Sequence, residues 1–103
     1  MVLYNVTIVL EPSITEDWKT WMMEVHIPDV MATGCFKEYK MSQVKDDRNP
    51  DQTTFAVQYL CESHEVLDRY QKQYAPKLQV EHTNRYKGKF GAFRTLLDVI
   101  AMG

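Results

Sequence analysis

Residues 18–34, WKTWMMEVHIPDVMATG, gather both tryptophans of the chain, a histidine, a proline and a turn glycine into one run. Trp18, Trp21, Met22 and Val25 recur at i, i+3, i+4 and i+7, which predicts a helix with one apolar stripe and with Lys19, Thr20 and Glu24 outside it. His26, four residues after Met22, extends that stripe into what this spacing makes the last turn. Pro28 disfavours helical geometry at Ile27, and Gly34 can take the positive φ that turns the chain into its next element. The stretch reads as a crossover helix that ends near a histidine on apolar surface. It contains no motif that names a reaction.

Working outward, Val2 to Leu10 alternates between Tyr4, Val6, Ile8, Leu10 and Leu3, Asn5, Thr7, Val9, so it predicts a strand substantially buried on both sides. Glu11-Pro12 ends it, and Ser13 with Glu16 has the S-x-x-E spacing of a capping box ahead of the tryptophan helix. Beyond Gly34, Cys35 to Lys45 predicts a second strand. Its apolar positions Phe36, Tyr39, Met41 and Val44 change phase midway, which predicts a bulge. Asp46 to Asp51 is a polar turn, and Phe55, Val57, Tyr59 and Cys61 then alternate with Thr54, Ala56, Gln58 and Leu60, completing an antiparallel hairpin. Ser63 fits the N-cap of a second helix bearing Val66, Leu67, Tyr70 and Tyr74, with a restart at Pro76. Gly88 and Gly91 precede a last strand through Arg94 to Ile100.

Length and charge bound the possibilities. A chain of 103 residues makes one domain, 1–103, and is long enough to bury a core without a disulfide or metal staple. Its 12 Lys and Arg against 14 Asp and Glu, net −2, are scattered, so it lacks the clustered basic face of a nucleic-acid binder. No apolar run approaches the roughly 18 residues of a membrane span, and the strand pattern begins at once after Met1 without a leader-like segment. A cytoplasmic protein without membrane association is expected. Cys35 and Cys61 fit no metal spacing and no CxxC motif, and the expected hairpin places them on or near one rung as buried reduced thiols.

The order strand, helix, strand, strand, helix, strand, with right-handed crossovers and both apolar helix stripes on one sheet face, predicts an α+β, ferredoxin-like βαββαβ domain. It has a four-stranded antiparallel sheet and two helices on one face. Because the strands are apolar on both sides, the open face is expected to pack against a second copy, giving a homodimer joined through sheet faces.

The segments LYNVT, WxxWMxxxHIPDVMATG, FAVQY, YAPKL and FGAFRTLLDVI resemble, along nearly the whole chain, a family of small bacterial proteins defined as a domain of unknown function. That family is similar to the dimeric α/β-barrel superfamily, in which two ferredoxin-like protomers pack sheet to sheet. Relatives there include antibiotic-biosynthesis monooxygenases, muconolactone isomerase-like proteins and polyketide cyclases. In several of them a histidine near the end of the first helix, often in an H-x-P setting, faces a small-molecule cleft between sheet and helices. His26 with Pro28 matches that position.

The resemblance makes His26 the candidate proton-transfer residue, since a neutral imidazole exchanges a proton near neutrality. Capping of the helix C-terminus is the competing role. Asn5, Gln58 and Arg94 are polar in otherwise apolar strands, where an unpaired buried group is costly, and they are candidates to line the cleft. Arg94 is the natural anchor for an anion. Trp21, Tyr39 and Tyr59 are candidate walls. His64 and His82 are too far in sequence from His26 to read as a metal site, and no metal or cofactor is expected. Two functions remain: a protein that binds or converts a small organic molecule near His26, or a structural or regulatory homodimer without catalysis.

Overall fold

The computed structural model describes residues 1–45, 48 and 53–103. The polar turn expected at Asp46 to Asp51 lies, apart from Arg48, outside the described residues. Strand β1, Val2–Leu10, leads through a short tight turn at Pro12–Ile14 into helix α1, Thr15–Trp21, a wider π-type turn at Met22–His26 and helix α2, Ile27–Ala32. Strands β2, Phe36–Gln43, and β3, Thr53–Cys61, follow. Helices α3, His64–Gln73, and α4, Ala75–Tyr86, precede the last strand β4, Phe90–Asp98. The strands form one antiparallel sheet in the order β2-β3-β1-β4, with the helical segments on one face. This is the ferredoxin-like arrangement.

The period-two pattern of β1 sorts its side chains cleanly. Val2, Tyr4, Ile8 and Leu10 are buried under the helices and meet Phe55, Val57, Tyr59 and Cys61 from β3. Leu3, Asn5, Thr7 and Val9 share the opposite, open face with Ala56, Gln58 and Leu60 of β3 and with Phe93, Thr95 and Leu97 of β4. The expected bulge in β2 is present as a register shift between Phe36 and Glu38. It leaves Phe36 opposite Cys61, with Cys35 one residue beyond. Both cysteines are buried free thiols, and Cys61 Sγ donates to the Cys35 carbonyl at 3.3 Å.

The first crossover departs from the sequence reading in two places. Ser13 is not the N-cap: it lies in the tight turn, and α1 starts at Thr15 with no side-chain cap. Thr15 Oγ1 donates instead to the Glu11 carbonyl at 3.2 Å. The helix also does not stop at Pro28, since helical geometry runs to Ala32. The wide turn explains how. The Ile27 N–H reaches back five residues to the Met22 carbonyl, and Pro28, which has no N–H, cannot propagate that wide ladder, so the register returns to α.

The extra residue in the turn rotates everything after Met22. The buried stripe runs Trp18, Met22, Ile27, Val30, in steps of four, five and three, whereas Val25 is 41% exposed and Trp21 half-buried. A uniform 3.6-residue period would have kept Val25 inside. Gly34, φ 75°, then reverses the chain as expected, with its N–H on the Met31 carbonyl at 3.2 Å.

The second crossover begins where expected, with Ser63 Oγ accepting from the Val66 N–H at 3.3 Å. It breaks at Tyr74 and restarts with Pro76 near the start of α4. Ala75, Leu78, His82 and Tyr86 form the buried side of α4. The helices cover β1 and β3 but leave β4 bare, so its residues from Gly91 to Asp98 are exposed.

The rotated stripe makes a direct prediction. Ile27→Ala should cost about 2–5 kcal/mol in chemical denaturation, and Val25→Ala no more than about 0.5 kcal/mol. The reverse order would show that the helix keeps an unbroken α register.

Candidate functional site

Between the helices and the helix-facing side of β1 and β3, bordered by Phe90, Ala92 and Arg94 of β4, lies a cavity of about 230 Å³. Apolar walls come from Val6, Ile8, Val57 and Phe90, and Tyr59 and Tyr70 supply aromatic ones. His26, His82 and Arg94 bring the polar groups that converge on it, one from each helical arm and one from the bare strand.

His26 leaves the wide turn with its ring against Trp21, centroids 5.2 Å apart, and edge-on to His82 at 5.8 Å. Its Nδ1 is, among the described residues, the one buried side-chain nitrogen or oxygen without a hydrogen-bond partner. Leaving such an atom unpaired costs free energy. Because six more helical residues follow His26, it does not sit at the helix C-terminus, and the capping role expected as the alternative has no helix end to serve.

His82 is buried, and its Nε2 lies 2.9 Å from Trp18 Nε1. An indole N–H can only donate, so Nε2 must accept, and the neutral ring carries its proton on Nδ1. Arg94 stands on the helix-facing side of the sheet, as does its β1 neighbour Val6, and lines the exposed margin of the cavity. Its Nε donates to Tyr4 Oη at 3.0 Å, and no carboxylate pairs with it among the described residues. Trp21 is not a cavity wall; it backs the two histidines, with Arg85 over its outer side at 5.5 Å.

The candidate residues therefore separate. His26, Tyr59 and Arg94 line the cavity. Asn5 and Gln58 oppose one another across β1 and β3 on the open face, and Asn5 Nδ2 donates to Thr7 Oγ1 at 3.0 Å, so neither reaches it. Tyr39 stands at the β2 edge opposite Tyr59, half-exposed, and does not line the cavity either. His82 lines the cavity as well, a place that sequence spacing alone does not assign to it. Its signal was its place on the apolar stripe of α4 with Leu78 and Tyr86, where a histidine must have a polar partner. Among the described residues no cluster of three or more His, Cys, Asp or Glu is arranged to hold a metal ion.

Burial governs the electrostatics. Desolvation pushes the His26 pKa down to about 4, with Asp29 opposing and Arg94 reinforcing the fall. Desolvation does the same to His82, also to about 4, helped by His26 and Arg94. Burial also pushes the Tyr59 and Tyr70 hydroxyls up, so they remain protonated. Both imidazoles are neutral at neutral pH. The unfolded chain binds their protons first, so stability should be full above about pH 6.5 and decline as pH falls towards 4. Thermal melts across this range should show the decline, and it should flatten in a His26→Gln, His82→Gln double variant. An unchanged slope in that variant would locate the acid sensitivity elsewhere.

The chain belongs to the family described as Domain of unknown function (DUF4286), which it matches over residues 1–100. No curated protein matches it. Among solved structures it is similar to a dimeric ferredoxin-like protein from an uncultured marine organism, at 13% identity and TM-score 0.70, covering 100% of this chain and 98% of that one. HapK from Hahella chejuensis is similar at 10% identity and TM-score 0.73, with 100% and 96% covered. SnoaB, a cofactor-independent oxygenase from Streptomyces nogalater, is similar at 9% identity and TM-score 0.67, with 98% and 95% covered. At these identities the likeness is one of fold. No helix among the described residues is long and apolar enough to cross a membrane.

Proposed function

We propose that this member of the DUF4286 family binds a compact small organic molecule in the cavity between sheet and helices, with His26 as the proton-transfer residue. The observation that carries the reading is the convergence of His26, His82 and Arg94 on one aromatic-walled cavity. At about 230 Å³ it is smaller than the ~300 Å³ at which ordinary ligand sites begin, yet larger than the ~150 Å³ that accepts benzene. It suits a single substituted ring. Burial keeps His26 uncharged near neutral pH, the form of the ring that can accept a proton.

The test is an NMR screen of single-ring compounds that follows the ring resonances of His26 and His82. At least one compound should shift both, and His26→Gln should retain the fold while losing any turnover of that compound, because glutamine keeps a hydrogen bond but cannot titrate. A screen that leaves both rings unmoved would remove the reading.

The open sheet face supports a second component, pairing with another copy of the chain. Phe93 is 59% and Leu97 43% exposed there, beside Leu3, Val9 and Ala56. Sedimentation at micromolar concentration should find a homodimer, and Phe93→Glu should convert it to monomer. A stable monomer in the unaltered protein would exclude pairing, and with it the alternative of a purely structural dimer.

A further inference from the structure

We propose that the cavity is a site for a compact planar anion, of the aryl carboxylate or phenolate class, whose oxygen is received jointly by Arg94 and by the Nδ1–H of His82. This rests on the reading of the cavity as a ligand site and adds the chemical class of the ligand and the role of His82. Three observations converge on it. The lining contains one formal charge, that of Arg94, and no carboxylate. The Arg94 guanidinium uses only its Nε on the protein, for Tyr4 Oη, so its two terminal nitrogens have no protein acceptor among the described residues. A guanidinium presenting two free donors in one plane matches a carboxylate edge.

The third observation is the Trp18 bond. With Nε2 occupied by the indole N–H, His82 cannot present an acceptor there, and its Nδ1–H, which has no protein acceptor among the described residues, is a fixed donor. Trp18 is fully buried, so this tautomer is built into the core and not chosen by the ligand. The two histidines thus differ: His82 is committed as a donor, whereas no partner fixes the His26 tautomer. Arg94 lies within electrostatic reach of both rings, since its charge lowers the proton affinity of each. An anion placed among the three groups would meet one cation and an oriented N–H beside apolar and aromatic walls. The aromatic walls of Tyr59 and Tyr70 favour a flat molecule over a branched one.

The experiment compares matched pairs near neutral pH, benzoate against benzamide and 2-hydroxybenzoate against 2-hydroxybenzamide, with affinity read from the His26 and His82 ring resonances. Each anion should bind about tenfold or more tightly than its neutral twin, the gain of a charge-assisted hydrogen bond. Arg94→Gln should erase that preference. His82→Asn, whose amide nitrogen donates from near the Nδ1 position, should retain much of it, and His82→Leu should not. The ring nitrogen spectrum of the free protein should show His82 in the Nδ1–H form. Equal affinity for anion and amide, or an Nε2–H His82, overturns the anion assignment but leaves the cavity standing as a site for neutral rings. Silence of all four compounds also overturns it, and silence of the wider single-ring screen then removes the ligand-site reading as well.

Discussion

The hydrogen bond from Trp18 Nε1 to His82 Nε2 is the constraint on which the rest of the structure leans. It joins residues 64 positions apart, one from each crossover, at a point where Trp18 is fully buried and its ring packs on Phe55 of the sheet at 4.9 Å. A buried indole N–H without an acceptor would cost the full desolvation of the group, roughly 1–3 kcal/mol, and the histidine supplies the acceptor. Outside this bond, Tyr86 donates to Asp17 at 2.9 Å and binds the same two arms again closer to the surface. The arms are thereby held at a fixed spacing over β1, and the cavity is the space that spacing leaves. One bond thus serves packing, satisfies a polar group and sets the tautomer of a cavity residue.

The wide turn at Met22–His26 does the complementary work on the first arm. An α-helix running straight through this segment would place Val25 on the sheet and carry Ile27 and Val30 off it. The inserted residue keeps Ile27 and Val30 in the core and leaves His26 half-buried, beside the sheet but not absorbed by the packing. Trp21 then covers the ring from outside, and Arg85 covers Trp21. Wide turns of this kind lose hydrogen-bond quality, and they persist where a side chain must be re-aimed. Pro28 is part of the device, because its missing N–H ends the wide ladder after one turn.

Much of this was legible in the sequence where periodicity is local. The strands announce themselves through alternation, the β2 bulge through its change of phase, and the Ser63 cap and Gly34 turn through residue type. The fold follows from those elements and their order. The helix stripe after Met22 was misread because a single inserted residue does not alter composition, only phase, and Val25 fits the false phase as well as Ile27 fits the true one. Ser13 with Glu16 satisfied a capping pattern, but Pro12 drew Ser13 into the preceding tight turn instead. The site was only partly readable for a different reason. His26 carried its own context, whereas His82 acquires its role from Trp18 in the other crossover, a pairing no spacing rule reaches. Asn5 and Gln58 were misplaced by parity: each alternates with the more apolar members of its strand, Tyr4 and Val6 or Val57 and Tyr59, which take the covered face.

Parity also gives β4 its double character. Because it is the edge strand left bare by the helices, successive residues serve opposite sides of the sheet without being buried by either layer of the same chain. Arg94 stands on the cavity side of the sheet, while Phe93 and Thr95, its immediate neighbours, face the open side. A strand that shifted by one residue would exchange these roles and place the cation outside and a phenylalanine in the cavity. The register against β1, Val6 opposite Arg94 and Thr7 opposite Phe93, is therefore what separates a polar anchor from an apolar surface on a single strand. Any partner that packs on Phe93 and Leu97 would press on the same backbone that presents Arg94.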